Sequence, residues 1–457
     1  MIGRIGRGRL RSPFATLYEE EGLPPAIRRS ITFMILANIL GNLYGVTVSG
    51  NALTGYAAAL GATDFEYGLL TGIPLAASLM QIPAAMLVSR TQKRKQYILT
   101  YGIICRALWL VIGLVPFFVP MEPAPLRLWI VIFLIGVSAA SGSFINVSFT
   151  PWLADLVPIG IRGRWLSIRD GFSNITAVLI GLLTAWLLDH IPSTLNYTIV
   201  FVMAGILGVM DMLCFIGVQE VHKTPPTKVH LGRVLRQIVA DRPFFLFLLF
   251  WTAWNFTANI CGPYLARYAL FMGLSFMELT LYGQIAAALI AVLVISQWGK
   301  LIDRFGTHPI LWVSCVVAAV TPAFFAGQTQ NAVWPLLLHS VIGAAFWSAS
   351  NVAATNVLLT ASADDQRPTY VAVFSCIVSL AGAFLGVLLG GALLDWLQGW
   401  YGAGHTFLGG QPDRYKLVVG LSVVTRLGIV LVFLPLMRRE GDVPVRTMFR
   451  QLLAAKK

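Results

Sequence analysis

Ser143-Phe-Ile-Asn146-Val-Ser-Phe-Thr150 and Ser348-Ala-Ser-Asn351-Val-Ala-Ala-Thr355 both read S-x-x-N-V-x-x-T. A second pair agrees: Asn38-Ile-Leu-Gly-Asn42-Leu-Tyr-Gly45 and Asn255-Phe-Thr-Ala-Asn259-Ile-Cys-Gly262 both read N-x-x-x-N-x-x-G. Spacings of three, four and seven place each set on one face of a helix. All four segments lie inside long apolar runs. The chain is therefore an internal duplication, and polar faces repeated within apolar helices point to two related halves sharing an aqueous cavity.

Hydrophobic residues make up 57% of the chain and charged residues 12%, with a mean hydropathy of +0.75. Soluble domains are about 45–50% apolar and about 25% charged, so this is an integral membrane protein. Its 457 residues accommodate about a dozen helices of roughly 20 residues, the length that crosses a ~30 Å hydrocarbon core. The apolar runs are continuous rather than alternating, which excludes a β-barrel. Twelve spans are predicted: Ile31–Ala62, Tyr67–Val88, Gln96–Val119, Leu128–Leu153, Leu166–Leu188 and Tyr197–Val218, then Phe244–Tyr268, Leu279–Trp298, Pro309–Ala326, Val333–Thr360, Thr369–Leu394 and Leu417–Met437.

The formal charge of +13 would suggest nucleic acid in a soluble protein. Here its placement reports topology, and no nucleic-acid partner is expected. Bases collect in alternate connections, among them Arg4 to Arg29, Arg90 to Lys95, Arg162 and Arg164, Lys223 to Arg242, Lys300 and Arg304, Arg367, and Arg438 to Lys457. The opposite connections carry only Arg127, Arg267, Arg414 and Lys416. Both termini are thus predicted to be cytoplasmic. No signal-peptide h-region precedes Ile31, so no cleaved signal is expected, and the Arg-rich start is expected to rest on anionic membrane lipid. Five cysteines stand singly inside spans without disulfide or metal-ligand spacing; no cofactor or metal is expected.

The connection from Val218 to Pro243 holds Pro225, Pro226 and most of the mid-chain charge. The expected division is a cytoplasmic N-terminal segment 1–30, a six-helix bundle 31–218, a cytoplasmic linker 219–243, a second six-helix bundle 244–437 and a tail 438–457. Asn146 and Asn351, Thr150 and Thr355, and Arg162 and Arg367 are each 205 residues apart, so spans four and ten align without gaps into their following loops. Asp189 and Asp395 close spans five and eleven in the same way. An even number of spans per half makes this a parallel repeat about an axis along the membrane normal.

After span eight stands Gly299-Lys300-Leu301-Ile302-Asp303-Arg304-Phe305-Gly306, which resembles the G-x-L-x-D-R-x-G loop of the major facilitator superfamily. The first-half copy, around Leu87 to Arg94, keeps the leucine and the bases but has Ser89 in place of the aspartate. Asp155 with Arg162-Gly163-Arg164 after span four is similar to the family's acidic and R-G loop. The resemblance covers the whole chain through span count, repeat and loops. It implies an all-α integral membrane fold of two pseudo-symmetric six-helix bundles (the MFS fold), alternating access, and a cavity lined by spans one, four, seven and ten.

Those are the spans that carry the duplicated polar faces. Asn38, Asn42, Ser143, Asn146, Thr150, Asn255, Asn259, Ser348, Asn351 and Thr355 offer donors and acceptors without charge, a lining suited to a neutral or zwitterionic polar solute. The same groups can instead bond one helix to its neighbour, worth about 0.6 kcal/mol on average; the sequence leaves both readings open. Tyr44 and Trp254 are the aromatic candidates beside the asparagines.

Charges within spans are costly and usually have a partner or a task. Arg106 in span three and Asp211 in span six lie at reachable depths and are expected to pair, whereas Arg426 in span twelve has no acid at matching depth in span nine. Gating is expected from Asp303 with Arg304 or Arg367, from Gly299 as a close-approach position, and from Asp155 with Arg162 or Arg164. No acid lies in the core of spans one, four, seven or ten, and His339, about 120° off the polar face of span ten, is expected to be packed. A co-transported proton or cation is left open, as are exchange and facilitated diffusion.

The reading is a secondary-type transporter of a small polar or amphipathic solute, monomeric and in a bacterial inner membrane. A polytopic membrane enzyme is an alternative, but no H-E-x-x-H, G-x-S-x-G or phosphate-cradling loop appears. A transport-inactive scaffold or receptor is the other.

Overall fold

The computed structural model describes residues 24–120, 125–191, 195–221, 231–361, 367–406, 413–437 and 443–454. Twelve helices among them are long and apolar enough to cross a membrane. They are α1 Pro25–Ala59, α2 Asp64–Thr91, α3 Arg94–Phe118, α4 Pro125–Leu156, α5 Ile159–His190 and α6 Leu195–Gly217, followed by α7 Arg242–Phe271, α8 Phe276–Phe305, α9 Thr307–Gly327, α10 Trp334–Leu358, α11 Tyr370–Gly402 and α12 Arg414–Leu436. A short helix, Leu231–Ala240, lies between the two sets of six, and another, Val445–Ala454, follows them. With an even span count, the described ends of the chain and the central connection lie on one face, here the terminal face; the other is the far face.

Local sequence explains where the helices start and stop. Two capping boxes mark matching entries: Thr63 Oγ1 accepts from the Glu66 amide at 3.2 Å while Glu66 Oε2 accepts from the Thr63 amide at 2.9 Å. Ser275 and Glu278 repeat this at 3.1 and 2.8 Å. Each box satisfies two of the amides that a helix N-terminus leaves without partners. Gly306, with φ +87°, ends α8 in a conformation that a side chain disfavours.

Packing follows the duplication. In the first six helices, α3 packs on α4 and α6, and α1 on α5 and α6. In the last six, α7 packs on α11 and α12, and α9 on α10 and α12. The α7–α11 seam is held close by Gly382, Gly386 and Gly390: a Cβ on each would lie 2.9, 2.3 and 2.0 Å from the carbonyl oxygens of Thr252, Phe256 and Ile260. Small residues at four-residue spacing let two backbones approach, so that dispersion does the work that hydrophobic burial cannot do in lipid.

Toward the far face the halves share one apolar core, with Tyr56, Tyr67 and Leu70 from the first packed among Tyr264, Val387 and Leu394 from the second. Toward the terminal face this core divides. One branch holds Ile31, Trp152, Trp165 and Phe215 from the first half, and the other Phe244, Trp254, Phe305 and Leu434 from the second. The molecule is joined at the far face and parted at the terminal face.

Candidate functional site

Of the duplicated polar faces, those of α4 and α10 are exposed in part, whereas the asparagines of α1 and α7 are half-buried. On α4, Leu128, Ile132 and Ile135 are buried near the far face, while Asn146 and Thr150, further along the same face of the helix, are exposed. On α10, Leu336 and Ser340 are buried, and Asn351 and Thr355 are exposed at the repeated positions. On both helices a face that is buried near the far face is exposed toward the terminal face. The paired serines are spent locally. Ser143 Oγ donates to the Ala77 carbonyl of α2 at 2.9 Å, and Ser348 Oγ to the Ala345 carbonyl of its own helix at 2.8 Å.

The asparagines of α1 and α7 share a sequence pattern but not their partners. Asn38 donates to Ser173 Oγ of α5. Asn42 donates to the Ser173 carbonyl and, at 3.5 Å, to Thr176 Oγ1, so both tie α1 to α5. Asn255 and Asn259 donate at 2.8 Å to the carbonyls of Trp251 and Asn255, one turn back on α7. Trp254 is fully buried and stacks on Trp347 at 5.6 Å. Tyr44 is buried beneath the Arg106 guanidinium, 3.8 Å from its ring centroid.

The charges inside the spans have partners. Arg106 and Asp211 meet at 3.3 Å, and Asp211 lies so close to α1 that a Cβ on Gly41 would be 2.7 Å from its carboxylate. The pair therefore joins α3 and α6 behind α1. Arg426, buried between α7 and α9, donates to the carbonyls of Ala258 at 2.9 Å and Ala318 at 3.5 Å and to Cys261 Sγ at 3.4 Å. His339 sits edge-on to Phe325 at 5.5 Å.

At the terminal face Asp155 pairs with Arg94 of α3 at 2.7 Å, both buried. Arg162 donates to the carbonyls of Ala154 at 2.7 Å and Val157 at 3.0 Å, capping the end of α4. Arg164, Asp303 and Arg304 are exposed and Gly299 is half-buried. Arg304 leans over the Phe305 ring. The Arg367 side chain lies outside the described residues.

The far face is closed by groups outside the four helices that carry the duplicated polar faces, among them Asp189 and Asp395. Asp395, at the end of the long apolar run of α11, accepts from the amides of Asp64 and Phe65 at 2.9 Å each. Asp189 does the same from α5, accepting from Phe276 and Met277 at 2.9 and 2.8 Å. Each carboxylate sits on the N-terminus of a helix in the other half, where it meets unpaired amides and the positive end of the helix dipole. Between them, the buried Asp64 side chain binds Arg267 at 2.8 Å, Arg414 at 3.1 Å and the Tyr415 hydroxyl at 3.0 Å, joining α2 to α7 and α12. The repeated capping boxes, 212 residues apart, were the sequence signal for this seam.

The sequence matches the family model described as Major Facilitator Superfamily over residues 35–386. A comparison with curated proteins finds no matching relative. Among solved structures, the fold is similar to a bacterial homologue of the human lysosomal transporter Spinster in an inward-facing, unoccupied conformation, at 19% identity and TM-score 0.67, covering 94% of this chain and 99% of that one. It is similar to the nucleoside transporter NupG at 12% identity and TM-score 0.66, covering 90% and 100%. It is also similar to the xylose transporter XylE from E. coli in an inward-open conformation, at 13% identity and TM-score 0.62, covering 92% and 99%.

Proposed function

The chain belongs to the Major Facilitator Superfamily, and from that premise we propose that it is a secondary-type transporter moving a small polar or amphipathic solute by rocking of its two six-helix halves. The terminal face is cytoplasmic in this proposal, in keeping with the basic connections on that side, the membrane is a bacterial inner membrane, and the protein acts as a monomer. The observation that carries the reading is the contrast between the two faces. Carboxylates of one half hold helix N-termini of the other at the far face, while Asn146, Thr150, Asn351 and Thr355 lie open toward the terminal face. This arrangement supports an inward-open state whose uncharged donors and acceptors meet the solute. Asn38 and Asn42, bonded to α5, would act by setting the shape of the wall.

The test is a thermal-shift screen of the detergent-purified protein against sugars, nucleosides, amino acids, organic anions and amphiphiles, repeated with Asn146→Ala and Asn351→Ala. A ligand that binds only the folded state raises the melting temperature. The proposal expects at least one class to stabilise the protein and either substitution to abolish the effect. Stabilisation that survives both would take the duplicated faces out of solute binding.

A further inference from the structure

Arg169 and Asp170 lie ten and eleven residues past the start of α5 at Ile159, and Asp170 is four residues inside the predicted span Leu166–Leu188. So close to the boundary of a span, a charged pair is costly only where its side of the helix faces lipid, so that side decides its role. The direction in which Asp170 points is set by its own helix. The lipid side of α5 carries the exposed Ile175, Leu179 and Leu183. Asp170 and Asn174 lie instead on the side that, nearer the far face, is buried as Gly181, Thr184 and Leu188, where Gly181 meets Thr280 of α8. That side faces the other half, and at Asp170 the halves have parted.

The pair presents its negative end to this gap. The Asp170 side chain is 57% exposed, the Arg169 side chain 18%. Arg169 donates from both Nε and Nη2 to one oxygen, Oδ1, at 2.9 and 2.7 Å, and its guanidinium turns toward the buried Trp165 ring, 5.4 Å away. Oδ2 takes no bond from Arg169, and the exposed Asn174 lies one turn further along. We propose that Asp170 is a cation-receiving subsite in the cavity wall, engaging an ammonium group carried by the solute, with Arg169 holding the carboxylate in place. The subsite rests on the reading of the gap as the transport route.

The test needs no knowledge of the solute. Full-length protein carrying Asn174→Cys is treated with the trimethylammonium-ethyl or the sulfonato-ethyl methanethiosulfonate, and modification at that position is read by peptide mass spectrometry. The ratio of the two rates on one thiol cancels the intrinsic reactivity of the thiol and reports the local field. Ser167→Cys, exposed on the other flank of Asp170, repeats the measurement if the first variant folds poorly. The expected result is a cation-to-anion ratio that falls by about tenfold when Asp170→Asn is added, because one charge ~6 Å away in water changes each rate by about threefold and in opposite directions. A ratio indifferent to Asp170→Asn overturns the subsite while leaving the cavity in place. Failure of both reagents to reach either position overturns the cavity reading itself, and the subsite with it.

Discussion

The carboxylate of Asp395 rests on the amide of Asp64, 2.9 Å away across 331 positions of sequence and between the two halves. Asp189 reproduces the contact on Phe276, so two latches related by the internal repeat close the far face. Both are hydrogen bonds to an ionised acceptor, of the kind worth about 1.5–3 kcal/mol. Asp189→Asn or Asp395→Asn keeps the size of the side chain and removes its charge. Each should move the balance toward a far-face-open state by on the order of tenfold, the equivalent of ~1.4 kcal/mol. Spin labels at Ala59 and Ala403, exposed on opposite halves, should then show a longer distance in part of the population. An unchanged distance distribution in both variants would remove the latches from gating.

Asp64 differs from the latch acids because its side chain is almost wholly buried, 1% exposed, between Arg267 and Arg414. Removing one member of such a cluster strands the remaining charges, at a cost of about 3–5 kcal/mol. Asp64→Asn should therefore lower the melting temperature by several degrees and do so more than Asp189→Asn, whose carboxylate lies at an exposed helix end. Equal melting temperatures for the two variants would contradict this ranking.

Much of the architecture was legible because a membrane restricts the choices. Apolar runs gave twelve spans, and the offset between Asn146 and Asn351 gave the repeat and the two open faces. What the sequence did not carry is which neighbour each polar group meets. Asn42 and Asn259 stand in the same pattern, yet α5 offers Ser173 and Thr176 to the first, whereas at Gly382 the α11 backbone runs so close to α7 that a Cβ would lie 3.1 Å from Asn255 Cβ. Arg94 reaches Asp155 through the packing of α3 on α4, a relationship that loop spacing does not encode. Asp170 is hard to read from sequence because it lies four residues inside the predicted start of its span, beside a run of loop bases, and outside the four spans that carry the duplicated polar faces. The closure of the far face depends on how the halves dock, and no periodicity within either half records it.

Arg106 and Asp211 provide a clean separation of charge from packing. Their 3.3 Å contact lies behind α1, with Gly41 and Gly208 leaving no room for larger neighbours. Asp211→Asn or Arg106→Gln alone leaves one buried charge without its partner, and each should destabilise by about 3–5 kcal/mol. Replacing both together, as Arg106→Met with Asp211→Leu, should recover most of that loss, because an apolar pair has no desolvation cost to offset. Melting temperatures of the singles and the double measure the coupling. A double variant as unstable as the sum of the singles would mean that the two side chains act independently.

The glycine stripe of α11 sets the last expectation. Gly386 faces the Phe256 carbonyl so closely that a Cβ would lie 2.3 Å from its oxygen, and Gly390 would place one 2.0 Å from the Ile260 oxygen. Backbone cannot yield as the end of a long side chain can, so even alanine must push α7 and α11 apart. Overpacking of this kind typically costs about 1–3 kcal/mol. Gly402, with nothing near its added Cβ, is the control on the same helix. Gly386→Ala and Gly390→Ala should each lower the melting temperature while Gly402→Ala leaves it unchanged or slightly raised, since alanine favours the helix by up to about 1 kcal/mol. Because α7 carries Asn255 and Asn259 toward the centre of the protein and α11 carries Asp395 to the far-face seam, the displaced helices should also weaken the latch on Asp64. The Ala59 and Ala403 distance should then broaden in Gly386→Ala but not in Gly402→Ala, and broadening in both would assign the effect to the helix end rather than to the stripe.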